Sequence, residues 1–117
     1  MSKLARDVRN VIVVYNSRFA DYREIVSELA RGNYFRALER CIPMEPVLGD
    51  DPEFNRLHNS AYLGTMAERL LSKIEADCGN VETLQNFLPV VWSYIRANPI
   101  ASFIHMKRFI VLEKRLS

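Results

Sequence analysis

The tightest constraint on this chain is its helix punctuation. Asp51-Pro52-Glu53 sets an N-cap acceptor, an N1 proline whose missing N–H has no helical partner anyway, and a first-turn acid in succession. Asn98-Pro99 repeats the cap-and-proline signal. Gly79-Asn80, followed by Glu82, ends one helix and opens the next, and Gly32-Asn33 closes a segment rich in Glu, Leu and Ala. These marks predict helices at 3–17, 20–31, 33–41, 52–77, 80–96 and 98–115. The first has a competing reading, because Val11-Ile12-Val13-Val14-Tyr15 is β-branched enough for a buried strand. Its best partner would be Phe109-Ile110-Val111-Leu112, and an isolated pair needs helices packed over it. Helix is preferred. The expectation is an all-α, compact single domain over 1–117, a bundle of five or six helices with a kinked or broken fourth segment and a proline-interrupted fifth.

Apolar spacing motivates those two irregularities. From Leu63 onward, Leu63, Met66, Ala67, Leu70, Leu71, Ile74 and Cys78 share one helical face. Phe54, Leu57 and Ala61 fall about half a turn away at ~100° per residue. A helix over 52–77 therefore presents two apolar sides. Either it kinks or breaks near Asn59-Ser60 or Gly64, or its first turns pack against something different from the rest. In the next segment Val81, Leu84, Leu88, Val91, Trp92 and Ile95 form a core stripe interrupted by Pro89, whose ring clashes with the carbonyl of Gln85. Between the third and fourth helices, Pro43, Pro46 and Pro52 make a stiff, non-helical connection. Met44, Val47 and Leu48 are expected to pin it to the body, the alternative being a short element presented to a partner's groove.

The last segment is apolar nearly all round. Ile100, Phe103, Ile104 and Val111 project to one side, Phe109, Leu112 and Leu116 to the other, with Met106 and Ile110 between. Such a helix is either wrapped by its neighbours or covered by another subunit, since a large apolar patch is rarely left open on a monomer.

Charge is arranged in blocks. Residues 1–41 carry eight Lys/Arg against five Asp/Glu (+3), 42–95 three against eight (−5), and 96–117 five against one (+4), so the formal net charge is only +2. The simplest reading is that the acidic middle pairs with the basic ends, within one fold or with a second copy. The alternative is a polyanion surface. Lys3, Arg6 and Arg9 recur along the first helix, Arg36 and Arg40 lie one turn apart, and Lys107, Arg108, Lys114 and Arg115 repeat at i, i+7. Parallel basic helices can straddle a phosphate backbone without reading bases, a mode suited to double-stranded RNA or DNA.

Motifs for chemistry are missing from the sequence. The four glycines are scattered singly, and no phosphate loop, Gly-x-Ser-x-Gly, His-Glu-x-x-His or Cys-x-x-Cys occurs. His58 with Tyr62 one turn on is the best enzyme-like pair, and His105 reads as a core or interface histidine. Cys41 and Cys78 lack the short spacings of a zinc set, and read as small buried residues. No cofactor and no metal are expected. No stretch approaches a membrane span. Met1-Ser2-Lys3-Leu4-Ala5-Arg6-Asp7 lacks the apolar run of a signal peptide, so a reducing, cytoplasmic setting is expected.

The functional expectation is a non-enzymatic protein–protein interaction module, adaptor, regulatory or accessory in character. It would self-associate, most simply as a dimer, through the C-terminal helix with Phe103, Met106, Phe109, Ile110, Leu112 and Leu116 at the interface. The alternative is a non-sequence-specific nucleic-acid binder using Arg6, Arg9, Arg36, Arg40, Lys107, Arg108, Lys114 and Arg115. Small size and dense apolar content would suit an accessory protein of a compact viral or phage genome.

Overall fold

The two longest helices begin at residues whose side chains satisfy their loose backbone N–H groups. The computed structural model describes residues 22–77, 79–100 and 103–116. The predicted helix 3–17, with the strand alternative at 11–15, lies outside the described residues, as do Arg6, Arg9 and Cys78. Among the described residues all regular structure is helical. Helix α1 covers 22–30 and ends in a Schellman turn: the Asn33 N–H bonds the Glu28 carbonyl at 2.9 Å, the Gly32 N–H bonds that of Leu29 at 3.1 Å, and Gly32 takes φ +79°. Helix α2 is Tyr34–Cys41.

The connection that follows departs from expectation. Its prolines do not exclude helix: Ile42–Met44 is a 3₁₀ turn and Glu45–Leu48 a single helical turn, α3. Pro43 and Pro46 stand at the starts of these turns, where a missing N–H is tolerated. Leu48 is buried and Met44 packs against the core, but Val47 is 72% exposed and pins nothing.

Helix α4 is Pro52–Ala76, capped by Asp51, whose carboxylate accepts from the N–H groups of Glu53 (2.9 Å) and Phe54 (3.4 Å). It runs unbroken through Asn59, Ser60 and Gly64, and its two apolar sides serve two separate cores. Phe54, Leu57 and Ala61 join Ile25, Leu29, Tyr34, Ala37, Cys41 and Leu48 in the first. Ala67, Leu71 and Ile74 join α5 and α6 in the second. The change of face is matched by a change of neighbours. Helix α5, Val81–Ala97, is capped by Asn80 (3.0 Å to the Glu82 N–H) and continues through Pro89. Its core stripe is narrower than predicted: Leu84, Leu88, Val91 and Ile95 are buried, while Val81 and Trp92, at the stripe's edge, are exposed. Helix α6 is Phe103–Lys114.

Asn98-Pro99 does not open α6 directly. Asn98 is a buried junction: its Oδ1 accepts from Ser60 Oγ at 2.6 Å and from the Ile100 N–H at 3.0 Å, and its Nδ2 donates to the Ser60 carbonyl at 3.3 Å. This ties the end of α5 to the middle of α4. Asn98→Ala is expected to cost about 2–3 kcal/mol, because it strands the buried Ser60 hydroxyl and a backbone N–H. Urea denaturation measures it, and a loss within the noise would show that the junction is dispensable.

Candidate interaction surface

Helix α6 decides how this chain meets a partner, because its sides have different fates. At ~100° per residue, His105, Phe109 and Leu112 fall on one side. All three are buried, Phe109 and Leu112 in the second core. Phe109 also stacks on Trp92, centroids 5.3 Å apart. These two predicted anchors therefore belong to the chain's own fold rather than to a free surface. The helix is not wrapped all round.

A polar clamp fastens the same helix to α4. His105 Nε2 lies 2.8 Å from Glu68 Oε2, and the His105 ring stacks on Tyr34 at 5.0 Å. Arg108 donates through Nη1 to Glu68 at 2.5 Å, through Nε to Glu75 at 2.8 Å and through Nη2 to Glu75 again. Burial alone would raise the Glu68 pKa, but the His105 hydrogen bond and the Arg108 charge outweigh it and hold the carboxyl below its ordinary 4.5. A carboxylate depressed in the folded state stabilises that state fully above its unfolded pKa, and the contribution is lost as pH falls through the folded value. Acid unfolding should therefore be shallower in Glu68→Gln, and wild type should lose part of its lead as pH drops below about 4.5. Melting temperature against pH checks this, and parallel curves would contradict it.

The acidic middle does meet a basic end here, in Glu68 and Glu75 with Arg108. Among the described residues of the first block, Arg40 pairs with Glu24 at 2.7 Å. Arg36, Lys107, Lys114 and Arg115 are exposed. Lys107 sits over the Phe103 ring at 5.6 Å.

Beside the buried side, α5 and α6 frame a groove of about 620 Å³ floored by Leu88 and Phe109 and edged by Pro89, Trp92, Met106 and Ile110, with Leu116 at its end. Met106 is half-buried, Ile110 44% exposed. The outer side is apolar and open: Phe103 is 74% exposed, Ile104 57% and Val111 55%. Of these only Phe103 stands among the predicted interface residues. Ile104 and Val111 were legible as apolar positions on the same side, and Trp92 was hidden by its place beside a true core stripe.

His58 tilts against Phe54, centroids 5.6 Å apart, while Tyr62 is half exposed. Cys41 is a buried free thiol, pushed up to about 11 by burial and by Glu45. Among the described residues no group of three His, Cys, Asp or Glu could hold a metal ion, and no helix is long and apolar enough to cross a membrane. Comparison with protein-family models, curated proteins and solved structures gives no match to this chain.

Proposed function

We propose that this chain is a non-enzymatic protein-interaction module that self-associates through the outer side of α6. The observation that carries this reading is the open apolar side of α6, Phe103, Ile104 and Val111, on a helix whose opposite side is fixed in the core. Isolated exposed apolar residues need no explanation, but three on one side of a helix, interleaved with the exposed Lys107 and Lys114, give a mixed apolar and basic face of the kind that binds protein. The engagement of Arg40 and Arg108 with carboxylates favours protein binding over the nucleic-acid reading, since both cations are already neutralised locally.

Methyl-labelled isoleucine spectra recorded from low to high micromolar concentration test the reading. Ile104 is expected to shift with concentration, whereas Ile25 and Ile74, fully buried in the two cores, stay fixed. Concentration-independent signals at Ile104 would refute it. Labelled duplex RNA added at physiological salt should leave the same signals unmoved.

A further inference from the structure

We propose that the outer side of α6 in one copy seats on the proline-rich corner of residues 42–50 in the next copy, so that self-association runs head to tail rather than about a two-fold axis. This rests on the self-association reading above and names the surface that α6 meets.

The corner is built to be presented. Leu48 is buried and Met44 packs on the first core, which anchors one side of it. On the other side Ile42 is 61% exposed and Val47 72%. Pro43 and Pro46, each at the start of a short helical turn, restrict the backbone that carries them. A restricted segment loses less conformational freedom on docking, so its apolar side chains bind at lower entropic cost. Glu45 and Asp50 flank the pair and are exposed.

Charge selects the partner. The corner sets exposed acids, Glu45 and Asp50, beside its apolar residues, and the α6 side interleaves Phe103, Ile104 and Val111 with the exposed cations Lys107 and Lys114, with Arg115 at its edge. Each therefore complements the other. Neither complements itself: two α6 sides across a two-fold would bring only cations together, Lys107, Lys114 and Arg115 of both copies, and two corners only acids, Glu45 and Asp50. The two surfaces also stand on different parts of the fold. The corner packs with the first core, and α6 with the second. One copy can thus offer both at once, and a contact between unlike surfaces propagates unless its rotation closes a ring.

Sedimentation velocity on two surface variants tests this. Val47→Asp blocks the corner and Phe103→Asp blocks the α6 side. Both positions are largely exposed, and each variant's thermal melt is checked against wild type. Wild type is expected to exceed dimer mass as concentration rises, and to dissociate in high salt as these charges are screened. Each variant alone should be monomeric, with association weakened ~10-fold or more, equivalent to about 1.4 kcal/mol. Mixed one to one, the variants retain one intact corner and one intact α6 side between them, so association should return and stop mainly at the dimer. Glu45→Lys and Lys107→Glu probe the same contact through charge alone. If Val47→Asp associates like wild type while Phe103→Asp is monomeric and mixing rescues nothing, the head-to-tail contact is overturned and the α6 reading stands. A wild type that is monomeric throughout overturns both.

Discussion

Gly64→Ala is expected to lower the melting temperature by ~10–20 °C, from an overpacking cost near 3 kcal/mol or above in a domain of this size. A Cβ built at Gly64 would lie 2.0 Å from Tyr34 Cδ1 and 2.3 Å from Cγ, so the ring itself blocks the position. Tyr34 cannot swing aside cheaply. It is buried at the start of α2, belongs to the first core and stacks on His105 from α6. The glycine thus lets α2 approach α4 closely, and a single methyl should disturb both the core and the His105–Glu68 clamp. Thermal unfolding of Gly64→Ala measures this, with Tyr34→Leu as a second-site test. If ring overlap is the cause, the substitution at Tyr34 should reduce the additional penalty of the alanine. A wild-type melt for Gly64→Ala would show that the helices have room to part.

The second large effect separates the two sides of α6. Phe109→Ala should destabilise by ~3–5 kcal/mol, because it opens a cavity in the second core and removes the stack on Trp92. Phe103→Ala, on the same helix, should stay within ~0.5 kcal/mol, since its ring is 74% exposed and contributes little to the monomer's fold. Its effect should appear in association instead. Chemical denaturation at low concentration reads the first and mass at high concentration the second. Equal stability losses at both positions would mean that α6 has no free side.

Much of the architecture is legible in the residues. Asp51, Asn80 and Gly32 mark boundaries because capping is local chemistry, decided within a few residues of chain. The two-sided pattern of α4 is legible too, and what the pattern alone leaves open is whether the helix or its surroundings change. Helix α4 is continuous over Pro52–Ala76, so it does not break, and its two apolar sides face two different cores. Edge positions are harder. Val81 and Trp92 sit next to the buried stripe of α5, and whether they are covered depends on how closely a neighbouring helix approaches. Pro43 and Pro46 mislead for a different reason: a proline forbids helix interiors but suits the first turn, and which applies depends on where the chain bends.

The candidate surface is legible only in outline. An all-round apolar C-terminal helix is visible from spacing, but which of its sides the fold consumes is a tertiary fact. Phe109 and Leu112 go inward, and Phe103, with the neighbouring Ile104 and Val111, stays out. The partners of Arg108 were legible only as an excess of acids in the middle block. Glu68 and Glu75 become its partners because α6 lies along the second half of α4.

The most direct measurement is the solution mass of wild type beside Phe103→Asp, by light scattering at high micromolar concentration. Self-association through the open side of α6 predicts a wild-type mass well above the 13.6 kDa of one chain, and a Phe103→Asp mass equal to it. A monodisperse 13.6 kDa wild type, or a variant that associates as wild type does, would contradict it.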